Sequence, residues 1–473
     1  MLRLFQPNQN AIINILQNPP INIFRAYDIR GKTDEHLTDN FSYLIGRAFA
    51  NELFDVGGNL VVIGRDCRNS SLGLLNATAQ GLIDSGHIVI DIGEVPTPVL
   101  YFATNHLECD AGIMITGSHN PKDYNGLKMS LMGKPFYGQQ ILKLKDHILK
   151  QEYKDGAGKY MKKEVVNDYV ADLMKNIYPT KRKLKVVIDC GNGMAGDLAP
   201  KIASNLNHEV VKLFCNIDGN FPNHHPDPSK LENLSELIET VKKEKADVGL
   251  AYDGDADRLG VVDSQGRVIW PDRQLILFAK YILKECPGAS IIYDVKCTGS
   301  LPAEIKKNGG EPYICRTGHS FIKEMMLSKK AQLGGEMSGH IFFKNRWYGF
   351  DDAIYAGARM LEMLSSQEDS IGFFNDVLSG HSTPEINIEL EEGEAQSLVE
   401  KTMLNLKSIK GKVVTVDGIR IEETDAWGLM RASNTTPSLV LRFEGDTVES
   451  LKQIQQTFKN LIMISKPNIV LPF

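Results

Sequence analysis

The sequence predicts an α/β fold divided among several domains. Strand-like and helix-like patterns alternate along most of the chain, which is typical of sheets covered by helices. A unit of two β-rich runs with helix-like segments recurs three times, and the pattern changes near Thr383. The 473 residues are too many for one hydrophobic core and correspond to three or four domains of ordinary size.

Composition and charge are those of a globular protein and exclude several classes of function. Hydrophobic residues make up 42% and charged residues 24% of the chain, and the net charge of -6 argues against a nucleic-acid partner. Charges interrupt the longest apolar stretches, as Lys280 interrupts residues 275–283. We therefore expect no membrane span.

The N-terminal residues and the cysteines indicate a reducing compartment. Residues 1–20 mix Gln, Asn and Pro with apolar residues and lack a cleavage site, so they predict an ordered or frayed arm rather than a signal peptide. The seven cysteines show no CxxC spacing, which predicts free thiols rather than disulfides or a zinc site. A cytoplasmic protein is expected.

The repeat predicts three related α/β units with loops at equivalent positions. Its first half is a β-rich run ending in a polar turn, found at residues 60–71, 184–196 and 290–300. Its second half is another run ending in a loop that contains Gly, found at residues 110–121, 247–258 and 331–340.

Polar connectors at residues 143–163 and 265–274 separate the units. From Thr383 onward, strand-like runs precede a terminal helix pattern, which predicts a small α+β domain. We therefore predict four domains, with bounds at residues 1–163, 164–267, 268–380 and 381–473.

A serine lies on a turn at the end of an apolar run in the first unit. Residues 112–115 are bounded by breakers, which indicates a strand, and Gly117 gives the backbone freedom to present Ser118 outward. We therefore expect Ser118 to be exposed. A serine hydroxyl needs a base, a cation or a prior phosphoryl group to act as a nucleophile. Residues 116–121, the serine loop, are interpreted as a phosphate-carrying nucleophile loop, with an ordinary turn as the alternative.

Three aspartates occupy every second position directly after another apolar run: Asp253, Asp255 and Asp257. Carboxylates this close need a counter-charge, and an all-oxygen site with few protein ligands favours Mg²⁺. A calcium EF-hand is excluded, because Arg258 stands where its Gly belongs and Ser264 where its bidentate Glu belongs. Residues 253–258, the aspartate loop, predict a magnesium site, with a solvated acidic turn as the alternative. Arg258 suits a phosphate contact.

Residues 191–196, GNGMAG, match the GxGxxG pattern of dinucleotide-binding proteins and lie between a strand pattern and a helix pattern. The next strand ends without the acidic residue that binds ribose, since Asp218 comes only after Asn216 and Ile217. We therefore interpret these glycines as turn and packing positions.

Two further loops gather groups that bind anions and hydroxyls. Residues 431–437, the arginine loop RASNTTP, combine a guanidinium with hydroxyls, an amide and backbone N–H groups, which favours a phosphate. Residues 335–340, the glutamate loop GEMSGH, offer Glu336, Ser338 and His340 to vicinal hydroxyls. Polar turns of this composition also occur without a ligand.

Five motifs in order resemble the α-D-phosphohexomutase family, most closely its bacterial members that act on mannose and glucose phosphates. They are FRAYDIRG at residues 24–31, TGSHNP in the serine loop, DGDADR, GEMSGH and RASNTTP. The resemblance spans nearly the whole chain and implies four domains around a central cleft. The first three would share a mixed α/β fold, and the fourth would be an α+β domain related to TATA-binding-protein-like folds. One departure is Cys67, where the family usually has Gly.

The resemblance implies an isomerase that moves a phosphoryl group reversibly between C1 and C6 of a mannose or glucose phosphate. Ser118 would be the phosphoserine, and its phosphate would hold Mg²⁺ together with the three aspartates. The sugar would pass through a hexose 1,6-bisphosphate, which turns end for end before returning the other phosphate. Hexose phosphates are then the expected partners of a monomer that binds neither nucleic acid nor membrane.

The resemblance also assigns residues to roles around the substrate. Charge stabilisation and proton transfer would involve His119 and Lys128. The distal phosphate would be bound by Arg431, Ala432, Ser433, Asn434 and Thr435. The sugar hydroxyls would be bound by the glutamate-loop residues Glu336, Met337, Ser338 and Gly339. The other substrate-binding positions would be Tyr27, Arg30, Arg258, Lys296, His319 and His340.

Three alternative functions remain open. A phosphoglucosamine mutase would use the same chemistry, but its N-terminal and phosphate motifs usually differ from FRAYDIRG and RASNTTP. A metal-dependent sugar phosphatase would use an aspartate as nucleophile, yet the aspartate loop lacks the Thr or Val expected after a DxDx start. A non-catalytic sugar-phosphate binding protein would not need the serine, the lysine and the aspartates together.

Overall fold

The computed structural model describes residues 3–406, 409, 411–434 and 436–473. The chain forms two compact units. The first comprises the residues up to Pro271 together with Ser338–Ile371, and the second comprises Asp272–Met337 together with Gly372–Phe473. The described residues form four sheets, in agreement with the predicted four-domain α/β organisation.

Residues 9–17 of the N-terminal arm form a helix that packs on the first domain. Helix α1 (Gln9–Gln17) begins after Asn8, whose side chain accepts hydrogen bonds from the amides of Asn10 and Ala11 and caps the helix. The side chains of Ile12, Ile15 and Leu16 contact the hydrophobic core of this domain. The arm outside the family motifs therefore contributes to the core.

The first sheet is mixed and leads into the serine loop. Its strands are β1 (Ile29–Lys32), β2 (Leu60–Arg65), β3 (Ile88–Glu94), β4 (Ala111–Ile115), β5 (Tyr124–Leu131), β6 (Lys134–Pro135) and β7 (Lys159–Lys162). Their order is β1–β5–β4–β2–β3–β7, with β6 paired to β5. Strand β2 is parallel to β3 and β4, whereas β5 is antiparallel to β4. The serine loop joins β4 to β5.

Helices cover this sheet. They are α2 (Asp39–Asp55), α3 (Ser71–Asp84), α4 (Thr97–His106) and α5 (Gln139–Lys150). Helices α2 and α3 approach closely at a glycine, because a Cβ on Gly46 would lie 2.3 Å from the carbonyl oxygen of Thr78. The predicted connector at residues 143–163 contains the end of α5 and strand β7, which pairs with β3 and extends the sheet.

The second domain repeats the arrangement with a smaller sheet. Its elements are α6 (Val166–Lys175), β8 (Lys185–Asp189), α7 (Leu198–Asn205), β9 (Glu209–Leu213), α8 (Ser235–Glu244), β10 (Val248–Tyr252), β11 (Leu259–Asp263) and β12 (Val268–Ile269). The strand order is β12–β11–β10–β8–β9. Strand β10 is parallel to β8 and antiparallel to β11. The aspartate loop joins β10 to β11.

The third domain lies mainly in the second unit. Its elements there are α9 (Pro271–Glu285), β13 (Ser290–Asp294), α10 (Ser300–Lys307), β14 (Glu311–Cys315), α11 (His319–Lys329) and β15 (Leu333–Gly335). Strand β13 is parallel to both β14 and β15. The chain then continues in the first unit with β16 (Ile341–Phe343) and α12 (Ala353–Ser365).

The C-terminal domain is α+β, as predicted. After α13 (Ser370–Asn375) it contains β17 (His381–Ser382), β18 (Ile386–Glu389), α14 (Glu394–Met403), β19 (Lys412–Val414), β20 (Ile419–Glu422), β21 (Ala426–Ala432), β22 (Ser438–Gly445) and α15 (Val448–Ser465). The order is β17–β22–β21–β20–β19, and β18 pairs with β22. Leu398 and Phe458, from α14 and α15, belong to its core.

The predicted repeat is present in the topology. Strands β2, β8 and β13 lie beside and parallel to β4, β10 and β15, respectively. The serine, aspartate and glutamate loops therefore follow equivalent strands. All seven cysteines are free thiols, as predicted. None of the helices in the described part of the chain combines the length and the apolar character needed to cross a bilayer.

Candidate active site

The serine loop follows β4 and is buried. Ser118 is only 1% exposed, so the expectation of an exposed side chain is wrong. The left-handed residue is Ser118 itself, with φ of 49°, rather than Gly117. Gly117 is needed for space, because a Cβ there would lie 2.4 Å from Arg68 Nε. The aspartate loop covers Ser118 so closely that a Cβ on Gly254 would lie 2.4 Å from the serine carbonyl oxygen.

Arg68 holds the serine loop through hydrogen bonds to backbone carbonyl oxygens. Its guanidinium donates to the carbonyl oxygens of Ser118 and Asn120 at 2.7 Å, Pro121 at 2.6 Å and Tyr124 at 3.1 Å. A fully buried guanidinium needs such acceptors because burial removes its several N–H donors from solvent. The sequence interpretation did not select Arg68, although it lies in the polar turn that ends the first repeated run.

Asp66 fixes the loop from the same turn. Its Oδ2 accepts hydrogen bonds from Gly117 N at 3.0 Å and Thr116 Oγ1 at 2.9 Å. Cys67 is not among the described residues with a positive φ. The backbone of this turn therefore does not require the glycine that the family usually has at position 67.

The first aspartate of the aspartate loop contacts Ser118. Oδ2 of Asp253 accepts a hydrogen bond from Ser118 Oγ at 3.1 Å. Its Oδ1 accepts from the amides of Asp257 at 3.0 Å and Arg258 at 3.1 Å, which folds the loop around the carboxylate. Asp253, Asp255 and Asp257 are all fully buried, so the alternative of a solvated acidic turn is wrong.

The three aspartates form a site suited to a divalent cation. Their ligand atoms lie within 4.8 Å of one another. Burial, followed by the charges of Asp257 and Asp255, raises the pKa of Asp253 well above its ordinary value. Burial would also raise the pKa of Asp255, but the charge of Lys128 and its hydrogen bond hold that pKa below its ordinary value. Oδ1 of Asp255 has no hydrogen-bond partner within the described chain, and an orphaned oxygen in an all-oxygen site fits Mg²⁺.

Lys128 extends from β5 into the aspartate trio. Its Nζ donates to Asp255 Oδ2 at 2.7 Å and also to Asp257 Oδ2. Burial would lower the pKa of Lys128, but these carboxylates hold it above its ordinary value. The ammonium group therefore stays charged and balances the aspartates.

His119 lies beside the serine hydroxyl. Its Nδ1 is 3.2 Å from Ser118 Oγ. Burial, followed by the charges of Arg258, Arg30 and Lys128, lowers the pKa of His119 well below its ordinary value. The imidazole is therefore neutral near pH 7 and can accept a proton.

Arg30 and Tyr27 come from the first family motif. Arg30, on β1, donates to Asn120 Oδ1 at 2.9 Å and to Asp28 Oδ2 at 2.5 Å. The first bond places its guanidinium directly beside the serine loop. Tyr27 is half-buried in the turn before β1.

Arg258 and His340 join the aspartate loop to the end of the glutamate loop. Arg258 Nε donates to His340 Nε2 at 3.1 Å, so the matching neutral tautomer carries its proton on Nδ1. That nitrogen lies 3.2 Å from Asp351 and 3.4 Å from Asp257. Ser338 and Gly339 precede His340 in the first unit, and Gly339 has φ of 106°. Asp351 was not predicted, because no motif marks it.

Lys296 lies in the second unit, just after β13. Its Nζ donates to Glu385 at 2.9 Å. The backbone around Lys296 is held by Arg420, whose Nη1 donates to the carbonyl oxygens of Val295 at 2.6 Å and Cys297 at 2.7 Å. The C-terminal domain therefore fixes the position of a third-domain residue that the resemblance assigns to the substrate.

His319 is the first residue of α11 in the same unit. The N–H of Gly318, directly before it, donates to the Glu336 carboxylate. The N–H of Met337 donates to Asp294 Oδ1 at 3.2 Å. The first bond holds the start of the glutamate loop beside the start of α11, and the second holds it beside the end of β13.

The arginine loop begins at the end of β21, which contains Arg431 and Ala432. Arg431 is buried, whereas Ser433 and Asn434 are partly exposed. Thr435, predicted to bind phosphate, lies outside the described residues.

The GNGMAG segment supports the aspartate loop. A Cβ on Gly193 would lie 2.8 Å from the carbonyl oxygen of Gly254, and the N–H of Met194 donates to that same oxygen at 2.9 Å. These backbone groups are used within the protein, which agrees with turn and packing positions rather than a dinucleotide site.

Family models match the chain along nearly its whole length. The match to phosphoglucomutase/phosphomannomutase, alpha/beta/alpha domains I, II and III covers residues 22–155, 167–266 and 270–375, and the match to the C-terminal domain covers residues 385–461. The chain belongs to the phosphoglucomutase/phosphomannomutase family. The resemblance drawn from the five motifs is thereby confirmed.

Individual relatives of this family agree over the same length. A phosphomannomutase/phosphoglucomutase of Pseudomonas aeruginosa is 48% identical over 455 residues, covering 96% of this chain and 98% of the relative. A phosphoglucomutase of Neisseria meningitidis is also 48% identical, covering 95% and 98%. A crystal structure of a family protein from Burkholderia thailandensis is 46% identical with a TM-score of 0.91, covering 96% and 99%.

Two solved structures of much lower sequence identity share the fold alone. A phosphoglucomutase of Paramecium is 18% identical with a TM-score of 0.75, covering 96% of this chain and 97% of its own. An N-acetylphosphoglucosamine mutase of Aspergillus fumigatus is 13% identical with a TM-score of 0.62, covering 98% and 99%. The fold of this chain is therefore similar to the folds of both proteins.

Proposed function

We propose that this chain is a phosphohexomutase, an isomerase that transfers a phosphoryl group between C1 and C6 of glucose or mannose phosphate. The observation that carries the proposal is the 3.1 Å hydrogen bond from Ser118 Oγ to Asp253, inside a buried trio of carboxylates. A serine oxygen beside a cation site is where a phosphoserine can be both formed and discharged. The phosphatase alternative would place the nucleophile on an aspartate and leave Ser118 without a role.

The aspartate trio would hold Mg²⁺ together with the phosphate of phosphorylated Ser118. When bound, the ion neutralises charge on the transferring phosphoryl group. The protein contributes the oxygen ligands and a second cation, because Lys128 Nζ already donates to Asp255 at 2.7 Å. The site would therefore supply the positive charge that a dianionic phosphate ester on Ser118 needs beside three carboxylates.

In the first half-reaction, a sugar hydroxyl attacks the phosphorus of phosphoserine 118 in line. The new phosphorus–oxygen bond forms to the sugar as the bond to Ser118 Oγ breaks, and that electron pair remains on the serine oxygen. The hydroxyl proton must leave during attack, and the neutral His119 beside Ser118 can accept it. Its return to Ser118 Oγ restores the free hydroxyl.

The second half-reaction requires the hexose 1,6-bisphosphate to turn and return its other phosphate. Groups that bind features common to both orientations serve this purpose. We assign the distal phosphate to residues 431–435 of the arginine loop. The shared hydroxyls are assigned to residues 336–339 of the glutamate loop. Tyr27, Arg30, Arg258, Lys296, His319 and His340 are assigned to the remaining substrate contacts. Added bisphosphate would rephosphorylate Ser118 and act as an activator, and the chain would act as a monomer.

The test follows the phosphate on the protein. Purified protein is incubated with glucose 1-phosphate and then analysed by intact mass and peptide mapping, with Ser118→Ala as the control. We expect one phosphate on the peptide containing Ser118, in exchange with substrate, and none in the variant. Isomerisation by a protein that never carries a phosphate on Ser118 would contradict the mechanism.

Substrate comparison separates the related activities. Glucose, mannose and glucosamine phosphates are assayed side by side, with inorganic phosphate measured in parallel. We expect turnover of glucose and mannose phosphates, little with glucosamine phosphate, and no stoichiometric release of inorganic phosphate. Phosphate release that persists in Ser118→Ala would instead identify a phosphatase.

A further inference from the structure

Asp417 accepts two hydrogen bonds in the second unit that no sequence motif predicts. It lies in the turn between β19 and β20. Its Oδ2 accepts from Arg431 Nε at 2.9 Å and from the backbone N–H of Thr317 at 3.0 Å. One carboxylate oxygen therefore joins the phosphate-binding arginine of the C-terminal domain to the turn that precedes His319 in the third domain.

The turn is built to lie against Arg431. Gly418, next to Asp417, has φ of 83°, and a Cβ there would lie 2.3 Å from the Met430 carbonyl oxygen and 2.7 Å from Arg431 Cβ. Only glycine fits both requirements. The close approach places the Asp417 carboxylate beside the Nε edge of the guanidinium. Both side chains are largely buried, at 12% exposed for Asp417 and 5% for Arg431.

The other edge of the guanidinium is left for a ligand. Nη2 of Arg431 is buried and has no hydrogen-bond partner among the residues that the structure describes. A guanidinium anchored through Nε presents its two terminal nitrogens in one plane, which is the geometry that binds phosphate bidentately. Asp417 thus occupies the edge that phosphate does not need.

The same contact orders the approach to His319. Thr317 donates its N–H to Asp417 and its Oγ1 to Asp294 at 3.3 Å, and the following Gly318 donates to Glu336. Three carboxylates therefore hold the two residues before His319.

We propose that Asp417 is a positioning residue for the distal phosphate of the hexose phosphate, holding Arg431 and the start of α11 in one arrangement. This inference rests on the proposed function, because it deepens the role assigned to the arginine loop. Two effects of Asp417 oppose each other. Its negative charge weakens the attraction of the site for phosphate, whereas its geometry orients the arginine. Orientation dominates, since an unanchored buried arginine loses the bidentate geometry altogether.

Two substitutions separate charge from position. Asp417→Asn keeps an acceptor oxygen at the same place and removes the charge, whereas Asp417→Glu keeps the charge and moves the oxygens by one methylene. Asp417→Ala removes both. Glu304→Gln is the matched control, because Glu304 is a carboxylate of the same unit, on α10, that pairs with Lys280 and Lys307.

Binding is measured first in a Ser118→Ala background, so that glucose 6-phosphate binds without turnover in calorimetry. We expect Asp417→Glu and Asp417→Ala to raise Kd about tenfold or more, and Asp417→Asn and Glu304→Gln to stay within about threefold of the parent. In the reactive protein, the same two variants should raise KM more than they lower kcat.

Tighter binding by Asp417→Asn, with Asp417→Glu unchanged, would overturn the inference, because the residue would then act through charge. Kd values equal to the control in all three variants would overturn it as well. The Asn and Glu variants decide the question even where Asp417→Ala fails to fold. If the variants show the expected pattern of Kd values but the wild-type protein never isomerises glucose phosphate, the proposed function is refuted. The positioning role of Asp417 in phosphate binding would then still stand.

Discussion

Arg68 Nη2 donates a hydrogen bond to the carbonyl oxygen of Ser118 across 2.7 Å and across 50 positions of sequence. Ser118 adopts a positive φ, which costs a non-glycine residue about 1 kcal/mol or more. The strain persists because the buried, planar guanidinium of Arg68 binds three carbonyl oxygens of the serine loop and that of Tyr124 at once. Ser118, the proposed nucleophile, is therefore held by a fully buried residue that is distant in sequence.

Arg68→Lys should disrupt the serine loop, because a single ammonium cannot reach four carbonyl oxygens with the geometry of the guanidinium. We expect kcat to fall about 100-fold or more, as misplaced nucleophiles do, with a lower thermal midpoint. Steady-state mutase kinetics and thermal unfolding measure both. Arg65→Lys is the control: Arg65 pairs with Glu94 at 2.6 Å, a bond that lysine can also make, and should leave kcat nearly unchanged. Equal effects of the two substitutions would argue against the role of Arg68 in holding the serine loop.

Lys128→Met should leave the aspartate trio without its internal cation. Losing one partner of a buried ion pair costs about 3–5 kcal/mol, so the variant should unfold at a lower temperature in the presence of a chelator. Mg²⁺ should raise its midpoint more than that of the wild type, because the ion replaces the missing charge. Thermal unfolding with and without Mg²⁺ is the measurement, and Lys134→Met, at an exposed position, is the control. A Mg²⁺ response identical to wild type would contradict this account.

His208 should make the second domain less stable in mild acid. Its Nδ1 accepts a hydrogen bond from Leu184 N at 3.1 Å, and burial lowers its pKa to about 4. Between about pH 6.5 and pH 4 the unfolded chain binds a proton at this residue that the folded chain does not. Its contribution of about 2–3 kcal/mol is therefore complete above that window and is lost as pH falls through it.

His208→Asn tests the effect, because an asparagine oxygen can accept the same bond and does not titrate in this range. The thermal midpoint of wild type minus that of the variant should decrease as pH falls from 7 to 4.5. Subtracting the variant removes the contribution of all other groups. A difference that stays constant with pH would show that His208 is not the responsible group.

Arg442→Met should destabilise the second unit. Arg442 Nη2 donates to Asp272 at 2.9 Å, and its guanidinium lies 5.6 Å from the centre of the Trp427 ring. Asp272 is fully buried, so removing the arginine leaves an unpaired charge at a cost of about 3–5 kcal/mol. Faster amide hydrogen exchange in β21 and β22, followed by mass spectrometry, measures the loss. Lys412→Met breaks an ion pair whose lysine is 72% exposed and should cost less than about 0.5 kcal/mol.

The local patterns of the chain were enough to predict its repeated α/β units and the loops that follow them. Apolar runs such as residues 248–252 become buried strands because their side chains leave no polar face. Equivalent strands then bring the serine and aspartate loops to equivalent positions. The proximity of Ser118 to Asp253, which lie 135 positions apart, was implied by the family resemblance and is present as a 3.1 Å hydrogen bond.

Other properties of the site depend on contacts that no local pattern contains. The sequence alone determined which residues can carry the chemistry: a serine, three aspartates, a lysine and an arginine loop in a recognisable order. Only the tertiary structure decided that Ser118 is buried with a strained backbone, that Arg68 and Asp66 hold it, and that Asp417 anchors Arg431. The physical reason is that burial and hydrogen-bond partners are set by residues distant in sequence, and a single arginine or aspartate outside a motif looks like any solvated charge until the chain has folded around it.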